Sequence, residues 1–131
     1  MEIVITAWAL DAYLELKHKH IFTQEDYENL IRPKALLLKD FPQSTEFSNN
    51  KFWSPATFQG QTIPDGFKMK WHQLGSGRVQ LRLPVGIFDS AFLCEAYVKS
   101  NEKAERRYLA RFKTHLELIR RQQFTTCGRL E

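Results

Sequence analysis

Phe67-Lys68-Met69-Lys70-Trp71-His72-Gln73-Leu74-Gly75-Ser76-Gly77-Arg78-Val79-Gln80-Leu81-Arg82-Leu83 is the stretch that decides the fold. Phe67, Met69 and Trp71 alternate with Lys68, Lys70 and His72. Beyond Gly75-Ser76-Gly77, Val79, Leu81 and Leu83 alternate with Arg78, Gln80 and Arg82. A strict period of two on both sides of a glycine-rich turn predicts an antiparallel hairpin with one apolar and one polar face. Phe92–Lys99 repeats the pattern, with Phe92, Cys94, Ala96 and Val98 set against Leu93, Glu95, Tyr97 and Lys99. It predicts a third antiparallel strand.

Upstream, Met1–Ala7 carries Ile3, Val4 and Ile5 and predicts a short strand. Leu10, Tyr13, Leu14 and Leu16 recur at helical spacing, so a helix is expected from Trp8 to about His20, with cations at its carboxyl end. Thr23 and Asp26 have the spacing of a capping box and open a second helix through Tyr27, Leu30 and Ile31. Pro33 forces a kink or a new start, Ala35–Phe41 continues helical, and Pro42 ends it. From Gln43 to Asp65 the periodicity fails among Ser, Asn, Gly, Pro and Thr, and a long surface loop is expected, pinned by Phe47, Phe52, Trp53 and Phe58. The last long element runs from about Asn101 to Gln123, with Ala104, Tyr108, Leu109, Phe112, Leu116 and Ile119 on one helical face. The expected fold is one α+β domain: a strand and two helices, then a three-stranded antiparallel sheet, then a C-terminal helix.

The chain has 131 residues, enough to bury a core without disulfide staples. Lys and Arg total 19 against 15 Asp and Glu, a formal charge of +4 that favours a polyanionic partner. Cys94 and Cys127 are too few for a disulfide framework and have no metal-ligand spacing. His18 and His20, two apart on a helix, do not share a face and make a poor metal pair. Gly75-Ser76-Gly77 is a turn rather than a phosphate loop. No metal, no other cofactor and no membrane are expected, and the expected location is cytoplasmic.

The polar hairpin face carries the functional expectation. Lys68, Lys70, His72, Arg78, Gln80, Arg82, Glu95, Tyr97 and Lys99 should form one surface. An ordinary sheet with one wet face shows the same alternation. What distinguishes this face is its sign, since like charges on adjacent strands repel and a nearly single-sign patch suggests a held anion. The residue types suffice for RNA scission by the 2′-hydroxyl, which needs a base, an acid and cations for the phosphorane charge. Glu95 or His72 is the candidate base, and His72 or Tyr97 the proton donor. Lys70, Lys99, Arg78 and Arg82 are the candidate phosphate ligands. Lys68, Lys99, Arg106 and Arg107 are candidates for holding the RNA, the last two on a helix whose cations otherwise read as a solvated face.

The order strand, helices, three antiparallel strands, helix resembles the RelE/ParE superfamily of bacterial toxins, with the nearest local likeness to its HigB-like branch. Met1–Leu16 resembles the family's opening, Arg78–Arg82 its basic central strand, and Ala96–Lys99 followed by Ser100–Lys103 and a helix its segment of glycine or alanine, aromatic, valine and lysine, then a polar turn and a helix. The resemblance implies a toxin held by a cognate antitoxin and, in the ribonuclease branches, a metal-independent endoribonuclease cutting messenger RNA on the ribosome. The matching basic positions are Lys70, Arg78 and Arg82. The family's C-terminal strand, which often supplies a catalytic Tyr or Arg, is not recognisable here; Phe124 and Arg129 are the only candidates near it. ParE-like members inhibit DNA gyrase without cleaving RNA, and a non-catalytic basic RNA-binding domain is a third possibility.

Overall fold

The computed structural model describes the backbone of residues 1–131 and the side chains of all but Ser76. Strand β1 (Ile3–Thr6) leads straight into helix α1 (Ala7–His18), whose N-cap Thr6 accepts from the Ala9 N–H. Thr23 and Asp26 form the expected capping box at the head of α2 (Gln24–Asp26). A π-helical turn at Tyr27–Ile31 follows, then α3 (Arg32–Leu36) and a 3₁₀ turn at Leu37–Asp40. The wider turn sits directly before Pro33, which has no N–H to give, so the segment 24–40 stays helical through the proline.

The expected long loop at Gln43–Asp65 is instead largely a hairpin. Strands β2 (Trp53–Phe58) and β3 (Gln61–Gln73) pair antiparallel around Gln59-Gly60, both at positive φ (52° and 78°). Two left-handed residues in a two-residue connection match the twist of the strands. Strand β3 is thus 13 residues long and continues into the Phe67–Gln73 stretch predicted from alternation. The glycine turn closes as a single helical turn, α4 (Leu74–Gly77), before β4 (Val79–Ile87).

The third strand is broken into β5 (Ala91–Leu93) and β6 (Tyr97–Val98), both antiparallel to β4. Val85 faces Leu93 and Leu81 faces Val98, so the broken strand spends one residue more than β4 over the same distance. That extra residue acts like a bulge and reverses the alternation at Cys94-Glu95-Ala96. Helix α5 (Glu102–Arg120) follows, and β7 (Thr126–Arg129) closes the chain. The sheet is therefore mixed and seven-stranded, in the order β2-β3-β4-β5-β1-β7, with β6 beside β4. The expected three antiparallel strands are its centre. Strand β1 joins parallel to β5, and the C-terminal strand that the sequence did not disclose pairs with β1.

Helices cover both faces. On one, Met69, Trp71, Leu81, Leu83, Val85 and Leu93 pack with Ile31, Ala35 and Leu38 from the 24–40 segment and with Ala9 of α1. On the other, Ala56, Ile63 and Cys94 pack with Leu109, Phe112, Leu116 and Ile119 of α5. Gly66 and Gly86 lie directly opposite each other on β3 and β4. A Cβ at Gly66 would stand 2.9 Å from Phe112, and one at Gly86 2.6 Å from Leu116, so the bare pair is the notch in which α5 sits. No helix among the described residues is long and apolar enough to cross a membrane.

Candidate functional site

The end of the sheet beyond this notch carries the charge. Lys70 of β3 faces Arg82 of β4, and Arg82 faces Tyr97 of β6, so the three form one row across the strands. Lys68 stands in the next row, opposite Pro84. In the row on the other side, the Lys99 N–H donates to the Gln80 carbonyl at 2.8 Å. Of the residues the sequence put on one face, these six remain neighbours: Lys68, Lys70, Gln80, Arg82, Tyr97 and Lys99.

The row is held by hydrogen bonds, one of them to a residue that sequence reasoning passed over. Asn101 caps α5 by accepting from the Ala104 N–H at 2.8 Å, which sets Glu105 in the first turn facing the sheet. The Tyr97 hydroxyl donates to Glu105 Oε2 at 2.6 Å, and Lys68 Nζ lies 3.7 Å from the same oxygen. The Tyr97 ring stacks on Tyr108 with centroids 4.5 Å apart. Glu105 was discoverable: it stands four residues before Leu109 and so extends the apolar stripe Leu109, Phe112, Leu116 with a carboxylate.

Arg82 is only 3% exposed. Its guanidinium donates to the Leu81 carbonyl at 3.1 Å, to Gln80 Oε1 at 3.0 Å and, at 3.5 Å, to the Trp71 carbonyl. It is a fixed positive charge inside the patch rather than a free surface arginine. Lys70 Nζ donates to the Asn50 carbonyl at 2.8 Å.

The electrostatics follow from this crowding. Burial, aided by Arg82 and Lys99, holds the Lys68 ammonium below its ordinary pKa, against the pull of Glu105. Burial and the neighbouring Lys68, Arg82 and Lys99 do the same to Lys70. For Glu105, burial pushes upward, but the Tyr97 hydrogen bond and the charges of Lys68, Lys99 and Arg82 outweigh it, and the carboxyl stays below its usual value. Burial and the bond to Glu105 push the Tyr97 phenol far up, so it is a neutral donor at physiological pH.

The remaining candidates are placed elsewhere. Because the break at residues 94–96 reverses the alternation, Glu95 does not join the row. It is gripped by Arg111, Nε at 2.9 Å and Nη2 at 3.0 Å, and Arg111 lies over the Tyr108 ring. His72 lies past Lys70 on β3, its Nε2 hydrogen-bonded to the Lys51 carbonyl. Arg78 is exposed after α4, while Arg106 and Arg107 are exposed on α5. Arg129, on the unforeseen strand β7, pairs with Glu2 at 3.1 Å. Phe124 packs edge-on against Phe92 at 5.5 Å. Among the described residues no cluster of His, Cys, Asp and Glu could hold a metal ion.

Neither a protein-family model, nor a curated protein, nor a solved structure matches this chain. The chemistry of the site therefore rests on its geometry. Four cations, Lys68, Lys70, Arg82 and Lys99, converge around one carboxylate. Such a cluster can hold an oxyanion, and burial beside like charges makes its lysines give up a proton more readily than free ones.

Proposed function

We propose that the protein is a metal-independent endoribonuclease toxin of the RelE/HigB type, acting on messenger RNA at the ribosome and silenced by a cognate antitoxin. The observation that carries this reading is the cross-strand row of Lys70, Arg82 and Tyr97, flanked by Lys68 and Lys99. In the reaction, the 2′-oxygen gives up its proton and attacks the adjacent phosphorus. The bond to the 5′-oxygen breaks, and that oxygen takes a proton from solvent water, leaving a 2′,3′-cyclic phosphate.

Lys70, its pKa held down by burial and by neighbouring cations, is the residue suited to accept the first proton. Lys99 meets the phosphate, and Arg78, exposed past α4, stands outside the row. Arg82, already spent on Gln80 and two carbonyls, acts as a positioning residue and supplies a fixed field. A non-catalytic RNA-binding role is the second reading. It is favoured by one observation: two proton-transfer candidates, Glu95 and Tyr97, are already engaged by Arg111 and Glu105.

The test is controlled expression in a bacterium, following growth and RNA 5′ ends. Growth arrest with discrete new ends, both abolished by Lys70→Ala in a protein that melts like wild type, supports the ribonuclease. Intact RNA with salt-sensitive RNA binding by the purified chain supports the second reading. Arrest with DNA breaks and intact RNA points instead to gyrase.

A further inference from the structure

Beyond Lys70, where the sheet ends, a cleft of about 690 Å³ opens between the 24–40 helical segment and the chain entering β2. Its size falls within the roughly 300–1,000 Å³ of small-molecule clefts. Phe52, Trp71 and Leu74 contribute to its apolar lining. Trp71 is anchored there by its indole N–H, which donates to the Leu30 carbonyl at 2.8 Å.

Part of the polar lining is spent, since Lys34 pairs with Glu46 and Lys70 donates to the Asn50 carbonyl, and part of it is open. Asn49 Oδ1 accepts from the Lys51 N–H at 3.0 Å, which leaves the Asn49 amide hydrogens free to donate. His72 Nε2 faces a carbonyl, which can only accept, so this nitrogen carries the proton and Nδ1 is the acceptor of the neutral ring. Asn29 and Lys51 also line the cleft, are exposed, and have no side-chain partner among the described residues. An apolar lining with donors and acceptors around it is the complement of a nucleobase, whose faces are apolar and whose edges are polar. Lys51 and Lys70 add positive charge at the same cleft.

We propose that this cleft is a nucleotide subsite, taking the base and phosphate of the residue next to the cut in a single-stranded RNA. Lys70 lines the cleft and also belongs to the charged row, so the RNA strand passes from one to the other across it. Asn29, Asn49 and His72 read the base edge, and Lys51 meets the phosphate. The subsite takes its ligand class from the ribonuclease reading, so its test must work whether or not the chain cuts.

The probe is a short, labelled 2′-O-methyl RNA, which lacks the attacking hydroxyl and cannot be cleaved. Asn29→Ala and Lys51→Ala alter exposed side chains and leave intact the backbone groups that hold Asn49 and His72. Each should weaken probe binding about five- to tenfold, whereas Lys17→Ala on α1 should bind as wild type. In cells, the base preference beside the cut should flatten in Asn29→Ala. Cutting by wild type with affinity and preference unchanged in both variants overturns the subsite and leaves the ribonuclease standing. A wild type that binds the probe but cuts nothing, with binding weakened in both variants, supports the subsite and overturns the ribonuclease alone. A wild type that neither cuts nor binds overturns both.

Discussion

Replacing Glu105 with Gln keeps the side chain's shape and removes the one carboxylate found among Lys68, Lys70, Arg82 and Lys99. The Lys68–Glu105 pair is 3.7 Å apart with both side chains about 15% exposed. At an effective dielectric near 20 its gross attraction is about 4–5 kcal/mol. Desolvation offsets much of this, and the Tyr97 hydrogen bond survives as a weaker bond to a neutral amide. The net loss should be about 2 kcal/mol, or roughly a 6–8 °C fall in Tm for a domain of this size. The loss should also depend on pH. Glu105 titrates lower in the folded protein than its ordinary value, so its contribution is complete above the unfolded pKa of about 4.3 and fades as pH falls through the folded value. Urea denaturation at pH 7 and at steps down the acid range measures both effects. A loss under about 0.5 kcal/mol at pH 7, or a gap between wild type and variant that does not narrow in acid, refutes the buried charge cluster.

Gly86→Ala should destabilise by about 1–3 kcal/mol, because the new methyl stands 2.6 Å from Leu116 Cδ2; a urea midpoint equal to wild type contradicts the packing of α5. Cys127 is exposed and should react with a thiol reagent in the folded protein, while Cys94, fully buried with its thiol pKa pushed up by burial, should react only on unfolding. Binding of single-stranded RNA by Lys51, Lys68, Lys70 and Lys99 should give a log–log salt slope of about −3, falling by roughly 0.7 in Lys99→Ala; a slope near zero removes the phosphate contacts.

The centre of the sheet was legible because Phe67–Leu83 alternates without interruption, and the capping box at Thr23 was legible because two residues suffice to make it. The hairpin before it was hidden. Pro55 and Pro64 lie within its strands, and Pro55, Thr57, Gln61 and Thr62 are exposed on an edge where no apolar pattern is needed. Its signal was Gln59-Gly60, a turn pair without apolar flanks regular enough to frame it. Strand β7 had no signal at all, since all four residues are exposed and backbone pairing to β1 makes the strand. Of the site, alternation found the row Lys70–Arg82, but it could not find the extra residue that sends Glu95 to Arg111. Arg82 was read as a surface ligand because period-two counting assigns a face and not a depth.

The glycine notch reaches further than packing. Helix α5 seated on Gly66 and Gly86 behaves as a ruler laid along the sheet, with Leu116 at its zero mark and Glu105 three turns away. A helix rises about 1.5 Å per residue, and the Tyr97–Glu105 bond at 2.6 Å tolerates much less than that. Any change that lifts or slides the helix at the notch is therefore read out at the far end, where the cations lose their common anion. Tolerance to substitution at Gly86 is in this sense a property of the charged site, although no atom of the glycine is near it.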